Sequence, residues 1–181
     1  IRSPLLTDFD LIDRAAASDG PIQALIASRP QVSMSLSAAI AEVGEPQACK
    51  ALLRNDGADI ASVSFRRMAE RFGHEAELRE ALLSDARLPC DCRHMLLVKL
   101  GEALRTSPLV LALMGTARAE RVTREACTRA SLMLIDRTLT SEHAALIEHL
   151  RLRGDLTASF LVRVVAHGKI DFLGSVLISL S

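Results

Sequence analysis

Four stretches of this 181-residue chain repeat one short pattern, and that pattern restricts the fold more than any single residue does. Each stretch has an aliphatic residue closing a helix (Ile26, Leu53, Leu83, Leu150), a polar segment, and a second aliphatic (Val32, Ile60, Leu88, Leu156). An amphipathic run follows and reaches a glycine: Gly44, Gly73, Gly101 and Gly168. The first three glycines lie 29 and 28 residues apart, the period of stacked helical hairpins in a solenoid. Counting back from the glycine, positions 8, 4 and 1 are Leu36, Ile40, Val43 in the first copy and Phe65, Ala69, Phe72 in the second. Spacings of four and three place them on one helical face. The third copy has Arg93, Leu97 and Leu100, and the fourth has Phe160, Val164 and His167.

Composition agrees with a helical chain. Apolar residues make up 49% of it, yet Trp and Tyr are absent and Phe occurs five times. The core is therefore aliphatic, and Leu, Met and Ala favour helix while strand-spaced β-branched clusters are missing. The length suits a single domain over residues 1–181. Because the first residue is Ile1 and no leader-like segment follows, the chain reads as a domain cut from a longer protein. The fold expected is an all-α solenoid of stacked helical hairpins, with about ten to eleven helices.

Start and stop signals place many of these helices. Thr7 is a good N-cap for a helix over 8–17, whose first turn carries Asp8 and Asp10 at the favourable dipole end. Pro21 opens a helix that ends before Arg29-Pro30. Ser33, Ala61-Ser62, Pro89 and Thr157 stand where the second helix of each pair begins, and glycine closes it as an αL stop. Asn55-Asp56-Gly57 makes a turn. The repeat is interrupted from Ser107 to Thr138 by a short apolar helix at Pro108, a break at Gly115 and a longer helix from about Ala117 to Arg137. In that helix Glu120–Arg124, Arg121–Glu125 and Glu125–Arg129 have ion-pair spacing. Ser141 is expected to cap the helix after it, and the last helix, from Lys169, is apolar enough to be buried or to form a dimer.

Three segments resemble a known family. Ser3 through Ile12 is similar to the opening of the bacterial domain of unknown function family 2336, and Ala51 through Ile60 to its central turn. Leu156 through Arg163, with His167 through Phe172, resembles its closing helix pair, although His167 is bulkier than that pattern has. The resemblance covers nearly the whole chain. It implies HEAT-like helices and carries over no catalytic residue, leaving function open.

Twenty-two basic and twenty-two acidic residues cancel, so no global field gathers nucleic acid or an anionic membrane. Three of the basic residues are lysine (Lys50, Lys99, Lys169) and the rest arginine; a GC-rich coding background accounts for that bias. Four cysteines do not make a disulfide framework, which points to the cytoplasm. The longest uncharged apolar stretch, 107–117, is about half of what crosses a bilayer.

The chemistry-bearing candidates are few. Cys90-Asp91-Cys92-Arg93-His94 holds metal-ligand residue types, but on a helix Cys92 faces away from Cys90 and His94. The helix start at Cys90 is a place where a dipole lowers a thiol pKa. His74-Glu75 begins like a zinc-protease helix, but Leu78 stands where its second histidine belongs. His143 and His149 lie on different faces, and no two of the nine glycines are closer than six residues. Neither a metal site, a phosphate loop nor a catalytic constellation follows, and no cofactor or enzymatic activity is expected. Arg66, Arg67 and Arg71 are the candidate partner-binding residues, Arg67 and Arg71 set opposite the Phe65–Ala69–Phe72 face and Arg66 flanking them. Glu70 among them, and non-basic residues in the matching columns, break any continuous basic stripe.

The expectation is a non-enzymatic scaffold or regulatory module that binds a partner protein. The alternatives are nucleic-acid binding through the Arg66–Arg71 face and a homodimer built through Pro108 to Met114 or the C-terminal helix.

Overall fold

A computed structural model describes residues 6–181. Ser3, Pro4 and Leu5 of the family-like opening lie outside the described residues. The regular elements of the described residues are all helical, with twelve α-helices instead of ten or eleven and one 3-10 turn. The described residues divide into two compact units, 6–88 and 89–181. No described helix is long and apolar enough to cross a membrane.

The first unit holds α1 (Asp8–Ala17), α2 (Gly20–Ala27), α3 (Met34–Val43), α4 (Pro46–Leu53), α5 (Ser62–Phe72) and α6 (Ala76–Ser84). Several local signals act as read. Thr7 and Asp10 form a reciprocal capping box at α1, and Ser33 Oγ accepts from Leu36 N at 3.2 Å at α3. At α5 the N-cap is Ala61, with no side-chain cap bond. Alternate helices pack in two rows: α1 on α3 on α5, and α2 on α4 on α6. Leu11, Leu36, Ile40, Phe65 and Met68 fill the first row's inner face, and Ile26, Leu52, Leu78 and Leu82 the second's.

Side-chain hydrogen bonds lace the hairpins together. Gln23 on α2, almost fully buried, donates to the carbonyls of Ala15 (2.8 Å) and Ser18 (3.1 Å) and accepts from Glu45 N (2.8 Å). Asn55 donates to Ala27 O (2.8 Å) at the end of α2 and to Arg29 O (2.7 Å) of the loop after it, while its Oδ1 accepts from Gly57 N, the turn expected there. Val32 and Ala58 form a parallel bridge, through Val32 N to Gly57 O (3.1 Å) and Asp59 N to Val32 O (2.9 Å). Gly57 meets Pro30 so closely that a Cβ would stand 2.0 Å from its carbonyl oxygen. Arg87 then donates to Leu53 O (3.2 Å) and Ala58 O (3.0 Å), with Asp85 holding its guanidinium at 2.8 Å.

The second unit holds α7 (Cys90–Thr106), α8 (Pro108–Met114), α9 (Thr116–Arg137), the 3-10 turn Thr140–Glu142, α10 (His143–Arg153), α11 (Ala158–Ala166) and α12 (Ile170–Leu180). Pro108 and Gly115 bound α8 as expected, and Gly115 takes a positive φ of 72°. α7 packs on α9, and α10 on α7 and α12. Leu132, Ile135, Leu146, Ile147, Leu150, Val164, Phe172 and Val176 form one core.

Several expectations are corrected. Gly44 and Gly73 have negative φ (−66° and −63°), so they do not stop helices through the αL region. Gly101 stops nothing: it lies buried inside α7, and it provides room for Cys127 Sγ, which would stand 2.4 Å from a Cβ. Only Gly168 among the four takes the αL stop, with φ 72°. The last position of the repeated stripe also fails, since Val43 is 43% exposed and His167 is exposed. That position falls at the helix end, where the chain has already begun to turn away from the core. Ser141 lies within the 3-10 turn and makes no side-chain cap. In α12 only Phe172 and Val176 are buried; Leu177, Ile178 and Leu180 are exposed.

Candidate functional site

The three arginines singled out in the sequence sit on α5, and the ends of α3 and α5 largely occupy them. Arg67 makes a two-pronged pair with Glu42 of α3, Nε to Oε2 at 2.6 Å and Nη2 to Oε1 at 2.8 Å, and lies 3.7 Å from Glu70. That pair holds the Glu42 carboxyl below its ordinary range and Arg67 above its own. Arg71 donates to Ala41 O at 2.7 Å, satisfying a carbonyl in the last turn of α3, and its guanidinium lies 4.4 Å over the Phe72 ring. Arg66 is exposed beside them. Their geometry fastens α5 to α3.

The cluster 90–94 is buried. Cys90, Asp91, Cys92 and His94 all lie in the interior of the second unit. Among the described residues no three His, Cys, Asp or Glu side chains converge as a metal group would need. Burial first, then the nearby acids Glu142 and Asp91, pushes the Cys90 thiol up to about 12. The dipole effect expected at this helix start is outweighed by desolvation. All four cysteines are free thiols.

Two buried histidines use the same device. Ser131 Oγ gives its proton to Cys127 O (2.9 Å), so its oxygen accepts from His94 Nε2 at 3.0 Å. Ser175 Oγ gives its proton to Asp171 O (3.0 Å) and accepts from His143 Nδ1 at 2.9 Å. Each pair bonds one helix to another, α7 to α9 and α10 to α12. His94 meets His149 edge to face at 5.3 Å, and its Nδ1 has no hydrogen-bond partner. Burial, then the neighbouring His149, lowers His94 to about 4, so it is neutral at pH 7.

His94 and Ser131 also line a cleft of about 510 Å³ in the second unit. Arg121 and Arg124 from α9 and Arg163 from α11 stand around it, with the hydroxyls of Thr128, Thr157 and Ser159. The expected pairing along α9 holds only for Glu125–Arg129, at 3.4 Å. Glu120 turns instead to Arg105, 4.0 Å away on α7. Among the described residues, Arg121 and Arg124 have no carboxylate within ion-pair distance. Sequence reading missed the cleft because its arginines come from helices far apart in the chain.

A family model described as "Uncharacterised protein conserved in bacteria (DUF2336)" matches residues 1–181. No curated protein and no solved structure matches the chain.

Proposed function

The chain belongs to the bacterial family DUF2336, and on that premise we propose that it is a non-catalytic, HEAT-like α-solenoid module that binds a partner protein. Two rows of alternate helices, joined loop to loop in the first unit, are what a solenoid of hairpins requires.

One observation carries the binding reading. The outer edge of the α1–α3–α5 row displays apolar side chains near the start of each helix. Phe9 and Val63 occupy the same position, second in α1 and α5, and are 81% and 76% exposed; Met34 opens α3 and is half exposed. Exposed apolar side chains recurring at one level of successive hairpins offer a partner a dry strip, with Glu42 and Arg67 further along as a polar flank. The cytoplasm is the proposed working place, supported by four free thiols.

A photo-crosslinking residue placed at position 63 tests this in cells of the source bacterium. One discrete protein adduct at position 63, absent with the probe at exposed Ala126 of α9, supports the reading. Equal labelling at both positions, or none at either, contradicts it.

Self-association has its own observation. α8 buries none of its residues, and Leu109 and Leu113 are exposed on it, as are Leu177 and Ile178 on α12. Light scattering at high concentration decides this reading, which fails if the particle has the mass of one chain.

A further inference from the structure

The cleft of the second unit carries positive charge that the protein itself does not answer. Arg121, Arg124 and Arg163 come from two helices and line one space of about 510 Å³. No carboxylate among the described residues is within ion-pair distance of any of the three. Two acids also line it, each paired with an arginine that does not: Glu125 with Arg129 at 3.4 Å and Asp155 with Arg153 at 3.0 Å. Three like charges held around one concavity repel one another, and an anion between them removes that cost. In a chain with formal net charge +0, this concentration is local and does not come from an overall basic surface.

The rest of the lining suits the same ligand. The Thr157 and Ser159 hydroxyls share one hydrogen bond at 3.0 Å, which leaves one of their two protons for a ligand, while Thr128 Oγ1 gives its proton to Arg124 O at 2.9 Å. Thr157 caps α11, its Oγ1 accepting from Phe160 N at 3.2 Å, so the start of that nine-residue helix faces the cleft with its positive end. Guanidinium forks match phosphate oxygens two at a time. The volume lies in the range of small-molecule sites. Along α9 the arginines alternate with Glu120 and Glu125, and a polynucleotide would require a continuous basic track.

We propose that the cleft formed by α9 and α11 binds a small phosphate-bearing anion, gripped by Arg121, Arg124 and Arg163 with one hydroxyl proton from the Thr157–Ser159 pair. The site lies in the second unit and is independent of the protein-binding strip, which lies in the first.

Calorimetry on the intact chain with inorganic pyrophosphate at constant ionic strength tests it. Saturable binding is expected, weakened about tenfold or more in the double variant Arg124→Gln/Arg163→Gln. The control Arg137→Gln, at the far end of α9 and outside the cleft, should bind like the parent. Adenosine diphosphate forms a second arm: tighter binding than pyrophosphate makes the natural ligand a nucleotide, and equal binding makes it a phosphate recognised by charge and shape alone. Side-chain Nε resonances of Arg124 and Arg163 shifting with added pyrophosphate report the site in the unmodified protein. No saturation by about 10 mM pyrophosphate, equal affinity in the double variant, or a labelled RNA that displaces pyrophosphate stoichiometrically would each overturn the proposal.

Discussion

Arg87 donates from Nη1 to the carbonyl oxygen of Ala58 at 3.0 Å, 29 residues back along the chain. With the bond from Nη2 to Leu53 O at 3.2 Å, one side chain ties the last loop of the first unit to the loop before it. Asp85 aims the fork and raises the Arg87 pKa, its hydrogen bond being the largest cause. Asn55 does the same one hairpin earlier, through Ala27 O and Arg29 O. Loops that would otherwise leave carbonyls unanswered are thus answered by the next loop. Arg87→Ala should cost the first unit about 2 kcal/mol, the size of charge-assisted bonds lost to backbone. Arg87→Lys should recover little, because an ammonium cannot reach both carbonyls in the fork's geometry. Urea unfolding followed by amide exchange checks this, and the loss should be confined to residues 6–88.

Gly101 and Cys127 make a reciprocal test in the second unit. Alanine at position 101 puts a Cβ 2.4 Å from Cys127 Sγ, so Gly101→Ala should destabilise by about 1–3 kcal/mol through overpacking. With Cys127→Ala already present, the obstruction is gone, and the same change should stabilise by up to about 1 kcal/mol through helix propensity. A double-mutant cycle by thermal melting reads the reversal of sign. Equal effects in both backgrounds would show that α7 and α9 do not meet there.

His94 should make the second unit acid-sensitive. Its folded pKa of about 4 lies below the ordinary 6.5, so the unfolded chain takes up its proton first as the pH falls. The stabilisation is complete above pH 6.5, declines below it, and is gone once pH passes below about 4. Its full size is roughly 3 kcal/mol. The His94 Cε1 resonance should show a midpoint near 4, and the variant His94→Gln should lose this part of the pH slope. A midpoint near 6.5 would place the ring in water.

Cys90 and Cys49 should resist alkylation. Burial raises both thiols to about 12, which lowers the thiolate fraction at pH 8 by about a thousandfold relative to an ordinary cysteine. Timed iodoacetamide labelling with peptide mass spectrometry should find these two residues modified only after unfolding. Fast labelling of Cys90 in the native protein would restore the reactive reading of this helix start.

What the chain disclosed in advance was local. Thr7, Ser33 and Thr157 cap the helices they precede, Pro108 and Gly115 bound α8, and Asn55 turns the chain with its own side chain. Each of these signals acts within about four residues, so it is readable without the fold. The glycines misled because spacing does not reveal purpose. Gly168 supplies a positive φ, whereas Gly101 supplies space for a cysteine 26 positions away.

The site was legible only in part. Arg66, Arg67 and Arg71 stand together on α5, but Glu42 and Ala41 engage two of them from a neighbouring helix, which no pattern within α5 records. Conversely Arg121 and Arg124 read as paired along their own helix until Glu120 turns to Arg105. Arg163, 39 residues beyond Arg124, then completes a cleft that exists only after folding.

Hydrogen exchange at the amides of Val32 and Asp59 tests the central claim most directly. Neither residue is in a helix, and both amides are held only if successive hairpins meet through their loops, Val32 N on Gly57 O at 3.1 Å and Asp59 N on Val32 O at 2.9 Å. The account predicts protection comparable to Ile40 and Leu52 in the adjacent helices, lost at both amides together when Asn55 is changed to Ala. Exchange at the rate of an open loop, with Ile40 and Leu52 still protected, would mean that the hairpins fold without stacking.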